Sequence, residues 1–381
     1  MYQGPTHKNI RVLLAPNSMK GSLNAFRFAK IMADAFHAVS DRFEVVQMPI
    51  ADGGDFTAEV LIQSLGLKHQ EVQVRDPLRR IIKTTYGFGD NIAVIEMADA
   101  SGMKLLSAEE LNPLKTSSAG TGEMIRDAAD KGARAILLGV GGSATIDGGM
   151  GLLEGLGLVF YDEKGNPLTA TGSSLGLVDS WDDSALSVFK GVDFMVICDV
   201  DNPLLGDSGA VSTFGRQKGA TEEMMPVLEQ NLSHFSTLIL QKKGLALNLL
   251  KGMGAAGGIN LALAGFLNAQ IFSGADFVLD TIGFNEALKT VDLVITGEGK
   301  IDEQTANNKA PFAVAQRAKQ KDIPVVAIGG SITHEGASLF DRTYSLVNDQ
   351  VGVQEAINNV EALVFERAKQ AAEYFLFDLP R

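Results

Sequence analysis

A chain of 381 residues is longer than one hydrophobic core usually serves, so two domains are the default. Its formal charge of -13 comes without any basic stripe long enough to follow a phosphate backbone, which sets aside sequence-independent nucleic-acid binding. The single cysteine, Cys198, excludes a disulfide framework and a CxxC metal site. Five scattered histidines without HExxH argue against a histidine-rich zinc centre, and no stretch has the length and purity of a membrane span. The amino-terminal MYQGPTHKN lacks an apolar targeting region, so a cytoplasmic enzyme or binding protein is expected.

Residues 10–15 (IRVLLA) form an apolar run that breaks at Pro16, and residues 23–39 recur at helical spacing, giving strand, loop, helix. Lys20 in that loop sits near the helix start, where a cation is unfavourable unless an anion binds there too; an exposed turn lysine is the plain alternative. Residues 43–49 read as a second strand, ending at Ala51-Asp52-Gly53-Gly54-Asp55 before a helix over 56–65. Asp52 and Asp55 there are helix caps, or they orient a hydroxylated substrate or a cation. Runs over 71–74, 81–88 and 92–97 predict a meander, and residues 112–122 a polar, flexible connection carrying Thr116, Ser117, Ser118 and Thr121 before a helix over 123–131.

The apolar run 135–138 leads into GVGGSATIDGGM, residues 139–150. The backbone N–H groups of Gly139, Gly141, Gly142, Ser143, Ala144 and Thr145 are able to point at one anion, which predicts a phosphate or carboxylate cradle. Asp147 caps the helix that follows or faces a cation; glycine here for steric reasons alone is the simpler reading. Residues 166–190 are expected to be irregular and largely surface. The strand over 194–200 carries Asp199 near its end, before Asp201-Asn202-Pro203, a cation or hydroxyl site or an ordinary Asx turn. Residues 222–250 are expected to be helical, GMGAAGG at 252–258 a sharp change, and 259–267 a second helix.

The last third alternates strand and helix, with strands at 293–296, 325–328 and 343–346 and helices at 311–319 and over 351–377. Such alternation predicts a mostly parallel sheet with helices on its faces and ligand loops beyond the carboxyl ends of its strands, where Asn17, Asp52, Gly141, Asp199 and Glu298 fall. The late loop GEGKIDEQT has Ile301 where a Walker motif needs Ser or Thr, so a P-loop is disfavoured; Glu298 or Asp302 would bind magnesium and leave the other to act on a hydroxyl. The cradle, Lys20 and these carboxylates are the group types that phosphoryl transfer needs, while composition does not show that they converge. Gly139, Gly141 and Ala144 also fit GxGxxA, with Asp162 about twenty residues on, which keeps a dinucleotide reading open.

With APNSMKGSLNA, ADGG, GVGGSATIDGG, CDVDNPL, FGRQKGAT, GMGAAGG and ITGEGKIDEQT in order over roughly residues 11 to 347, the chain resembles the two-domain bacterial glycerate kinases. The resemblance implies phosphorylation of D-glycerate with ATP and Mg2+, on the 2-hydroxyl. It also implies an α/β fold: a discontinuous flavodoxin-like three-layer domain, residues 1–66 and 290–381, plus a second α/β domain, 67–289, with the site in the cleft between. Carried over residue by residue, the matching positions are Ser18 and Lys20; Asp52, Gly53 and Gly54; Gly141 to Thr145 and Asp147; Asp199 and Asn202; and Thr296, Glu298, Asp302, Gln304 and Thr305. Lys20, Asp52, Asp199 and Asp302 form the candidate catalytic set, Asp199, Glu298 and Asp302 the candidate metal ligands, and Ser18, Gly53, Gly54, Gly141, Gly142, Ser143, Ala144, Thr145, Asn202, Thr296, Gln304 and Thr305 the candidate substrate- or phosphate-binding residues. Lys20 would neutralise a phosphate or the glycerate carboxylate, and Asp199 or Asp302 would hold the metal or serve as base.

The chain departs from that family's pattern at Asn17 (usually Asp), Met19 (Phe), Asp55-Phe56 (Glu-Gly), Ile146 (Asn), and Asn308 and Phe312 (Gly). Loss of the carboxylate at Asn17 and of the amide at Ile146 would weaken cation or substrate contacts, and Phe56 would narrow the pocket. Another small hydroxy acid as acceptor, an NAD-dependent oxidoreductase and a noncatalytic metabolite-binding relative are the alternatives.

Overall fold

The computed structural model describes residues 9–54, 56–306 and 309–378, without the side chains of Gln304, Ala306 and Asp378. The chain divides into two compact units, Met1–Val60 with Gly274–Arg381, and Leu61–Ser273.

The first unit is built on five parallel strands in the order Arg342–Ser345, Val325–Ile332, Leu293–Ile301, Ile10–Pro16, Phe43–Gln47. Its central strands are continuous apolar runs because both faces are covered. Alternate side chains of Ile10–Pro16 serve opposite faces: Val12 and Leu14 join Phe28, Phe36 and Val364 of the helices Ala25–Val39 and Val360–Glu373. Leu13 and Ala15 join Leu279 and Val314 of the helices Gly274–Thr281 and Ala310–Lys319. The Ala25–Val39 helix begins where Asn24 accepts the Arg27 N–H at 2.8 Å, an N-cap that fixes the exit from the Lys20 loop.

The second unit holds a six-stranded sheet in the order Gln270–Ser273, Asp193–Cys198, Ala135–Gly139, Ile92–Glu96, Ile81–Gly89, Lys68–Arg75. The first four strands are parallel and the last two form the antiparallel meander. Three segments differ from expectation. Residues 166–190 contain two strands, Pro167–Leu168 and Ser180–Asp182, which flank Val159–Tyr161 in a small antiparallel sheet, and they bury Ala170, Leu175, Val178 and Phe189 in the core of the unit. The connection at 112–122 is no flexible linker: Thr116, Ser117, Ser118 and Thr121 are fully buried and the helix already begins at Ala119. Those hydroxyls are buried because each has a fixed partner: Thr116 and Ser118 in the central glycine-rich loop, Ser117 with the Ala119 N–H and Arg79, and Thr121 with Ser101.

The long helix runs only from Met224 to Lys243 and ends at Gly244, whose left-handed backbone (φ 73°) returns its N–H to the Leu240 carbonyl.

Candidate active site

In a doubly wound sheet, ligand loops gather beyond the carboxyl ends of the strands where successive connections leave in opposite directions. In the first unit that point lies between Ile10–Pro16 and Leu293–Ile301, and the loops leaving these strands are tied together: Asn17 donates its backbone N–H to the Gly297 carbonyl at 2.8 Å. Gly299 lies against the Met19–Lys20 backbone, a would-be Cβ falling 3.5 Å from Met19 Cα. Asn17, almost buried, accepts the Ser18 N–H on Oδ1 (2.8 Å) and donates Nδ2 to Asp52 Oδ2 (3.0 Å). Asp52 Oδ1 takes the Gly54 N–H at 3.3 Å, while Gly53 donates to Thr57 Oγ1. Lys20 stands exposed in its turn.

Below these, Glu298, Asp302 and Thr305 are buried. Thr305 Oγ1 donates to Glu298 Oε1 at 2.8 Å and accepts the Asp302 N–H at 3.1 Å; Asp302 Oδ2 pairs with the mostly exposed Lys300 at 2.7 Å. Burial pushes the Glu298 carboxyl up to about 7; the fields of Asp52 and Asp302 add to this, and Thr305 and Lys309 oppose it. A cation would reverse that balance, and the donors are hard oxygens of the kind Mg2+ takes. Among the described residues no three His, Cys, Asp or Glu side chains group closely enough to hold a metal unaided, and Asp199 belongs to the other unit. Mg2+ ordinarily completes its shell with substrate phosphate and water.

In the second unit the central loop leaves the carboxyl end of the Ala135–Gly139 strand and enters the Met150–Gly155 helix. Gly142, with φ 67°, is exposed at its tip, and Ser143, Ala144 and Thr145 are buried beneath. Asp147 is the loop's internal anchor. Its Oδ2 accepts from the Ser118 N–H and hydroxyl (both 2.8 Å) and the Gly151 N–H (3.3 Å), and its Oδ1 from the Gly149 N–H (3.1 Å). It thus accepts N–H groups at the start of the Met150–Gly155 helix, whose N-cap position is Gly149. Thr116 donates its hydroxyl to the Ala144 carbonyl, so the buried hydroxyl run holds the loop along its length.

Under the loop lies Lys218, 2% exposed, donating Nζ to Ser143 Oγ at 2.7 Å and the Thr145 carbonyl at 2.9 Å. It stands in FGRQKGAT, yet its burial was invisible in the sequence, where a lysine flanked by polar residues looks solvated.

Other expected site residues are engaged in the fold. Thr296, fully buried, donates its hydroxyl to the Ala15 carbonyl on the neighbouring strand (2.7 Å). Asn202 gives Nδ2 to the Ser208 carbonyl and Thr213 Oγ1 within its own turn, while Asp199 is exposed at its strand end. Ile146, where the loss of a substrate or cation contact is expected, is fully buried in the hydrophobic core of the second unit. Phe56 is half exposed in the left-handed region, φ 69°. Asp55, Asn308 and the side chain of Gln304 lie outside the described residues. Asp162, the acidic residue of the dinucleotide reading, sits in a hairpin turn, accepting from Lys164 and Asn166, away from the ends of the parallel strands. That removes the partner the GxGxxA pattern needs.

Comparison with known proteins bears on the same segments. The sequence pattern of the Glycerate kinase family matches residues 12–376. The chain belongs to the glycerate kinase family. A glycerate kinase of Bacillus cereus is 40% identical over 370 residues, covering 95% of this chain and 97% of that one. A glycerate 2-kinase of Escherichia coli K12 is 40% identical over 329 residues, 86% of each chain. In three dimensions the crystal structure of a Salmonella typhimurium LT2 protein described as glycerate kinase 2 superposes with a TM-score of 0.85 at 37% identity, covering 97% of this chain and 98% of the other. Within the glycerate kinase family, then, the Asn17 departure has a local meaning: its amide makes a hydrogen bond to Asp52 where an aspartate would set two carboxylates side by side.

Proposed function

We propose that this family member transfers the γ-phosphoryl group of ATP to the 2-hydroxyl of D-glycerate, giving 2-phosphoglycerate and ADP. The observation that carries the chemistry is the cluster of Asp52, Glu298 and Asp302 at the switch point of the parallel sheet, where the Lys20 backbone lies against Gly299. The acceptor follows from the family, and the 2-position from the Escherichia coli relative's name. The strand order of the first unit, 2-1-3-4-5 when its own strands are counted along the chain, supports its reading as flavodoxin-like.

Glu298 and Asp302 would hold Mg2+, which when bound supplies neutralising charge on the phosphate oxygens. Lys20, on an exposed turn, meets an anionic group of a substrate. The Gly141–Thr145 loop cradles phosphate or carboxylate with its backbone. Asp52 is the carboxylate suited to take the hydroxyl proton. It is partly exposed, and among the described residues its oxygens accept only the neutral Asn17 and Gly54 N–H groups, whereas Asp302 is buried against Lys300. As the substrate oxygen bonds to phosphorus, its proton passes to Asp52 and the bond to the ADP oxygen breaks.

The test is ADP formation with ATP, Mg2+ and a panel of D-glycerate, L-glycerate and erythronate, with the product identified by phosphorus NMR. Turnover with D-glycerate that falls by about 10²- to 10⁴-fold in Asp52→Asn is expected. Silence with D-glycerate, or activity on another acid alone, overturns the assignment.

A further inference from the structure

Among the described residues, three donors on and beneath the central loop have no acceptor. Ser143 Oγ receives a hydrogen from Lys218 Nζ, and because an ammonium only donates, the Ser143 hydroxyl must direct its own proton elsewhere. It finds no acceptor among the described residues. The Thr145 hydroxyl is buried and unpartnered, and Lys218 uses two of its three N–H groups. Among the described residues no carboxylate touches Lys218. Asp147, the charged group whose field reaches it, has its oxygens engaged with Ser118, Gly149 and Gly151; on Lys218's own stretch Arg216 pairs with Glu222 at the surface. A nine-tenths-buried ammonium without an ion pair is costly unless it serves an anion.

We infer that Lys218 is the positioning residue of the central loop: it fixes Ser143 as an acceptor, turns that hydroxyl's proton toward a bound anion, and supplies the loop's positive charge from beneath. The inference rests on the kinase reading for the identity of the anion, a phosphate group of the nucleotide or the carboxylate of the acceptor. Burial lowers Lys218 to about 7, with Asp147 pulling the other way. An anion above it favours the charged form, so binding takes up a proton at slightly alkaline pH, and affinity falls by up to about tenfold per pH unit above 7. A lysine that only braced the loop would show neither effect.

The experiment is calorimetric titration of the full chain with MgADP, D-glycerate and inorganic phosphate separately, at pH 6.5 and 8, in two buffers of different ionisation enthalpy. For wild type, uptake of a fraction of a proton approaching one is expected at pH 8 with one of these ligands, which identifies the anion. In Lys218→Met the uptake vanishes and the affinity for that ligand drops by about 10- to 100-fold. Ser143→Ala weakens binding but keeps the uptake. Proton-independent binding of all three by wild type overturns the inference, and so does undiminished binding by Lys218→Met. The wild-type arms decide the matter if the variant fails to fold. Absence of glycerate turnover defeats the kinase reading alone, since proton-linked binding of MgADP or phosphate would still assign Lys218.

Discussion

Glu298 shows how one residue couples the fold to the proposed chemistry. Its carboxyl rises from about 4.5 to about 7, chiefly through burial and then through two neighbouring carboxylates. Between those values the folded chain keeps a proton that the unfolded chain has released. The stability tied to neutral Glu298 is therefore fully present below the unfolded pKa and lost as pH rises through 7, a loss of roughly 3 kcal/mol. Glu298→Gln keeps the acceptor for Thr305 Oγ1 and cannot ionise. In buffer freed of divalent cations the variant is expected to match wild type in urea denaturation at pH 4.5 and to exceed it by roughly 3 kcal/mol at pH 8. Parallel pH dependence in the two proteins would remove the carboxylate cluster as the cause. Asn17 belongs to the same balance: its neutral amide adds no third negative neighbour around Asp52 and Glu298.

Among elements, the central loop depends on a contact between two helices that only glycine permits. Ala119–Asp130 and Met150–Gly155 approach so closely that a Cβ on Gly122 would lie 2.0 Å from the Leu152 carbonyl oxygen. Ser118, just before the first helix, joins the two by donating to Asp147 and accepting the Leu152 N–H at 2.8 Å. Alanine in a helix ordinarily gains about 1 kcal/mol over glycine. Here the collision with backbone reverses the sign, and Gly122→Ala is expected to lose roughly 1–3 kcal/mol and to weaken the proposed anion binding through the displaced Asp147 anchor. A melting temperature at or above that of wild type would refute the close-contact argument.

This pair of helices also shows where sequence reasoning stops. The strands announced themselves, because buried parallel strands are apolar runs, and the loops beyond their carboxyl ends followed from them. The hydroxyl run at 116–121 misled, because polarity marks a linker only when no partner exists, and the partners of Thr116 and Ser118 lie about thirty positions away. Thr296, Thr305 and Asn202 were legible as motif positions, but whether a hydroxyl or amide faces a ligand or ties the fold depends on neighbours the pattern does not carry. Lys218 escaped for the same reason, its meaning lying in burial.

For the whole molecule, the order of the chain constrains how it folds. The sheet of the first unit needs Ile10–Pro16 beside Leu293–Ile301, joined by a hydrogen bond between residues 281 positions apart, whereas the second unit is continuous from Leu61 to Ser273 with a core of its own. Closing so long a flexible loop costs on the order of 5 kcal/mol in chain entropy, and structuring the intervening segment first removes most of that flexibility. The second unit is therefore expected to form early and the first to complete late. The only tryptophan, Trp181, reports on the second unit, packed edge-on against Phe266 at 5.2 Å with Lys243 over its ring. On refolding from urea, Trp181 fluorescence should recover at least severalfold faster than amide protection of residues 12–15 and 293–296 in pulsed hydrogen exchange. If the two signals rise with one rate, the first unit does not wait for the second, and the central pairing must form by direct search across the open chain.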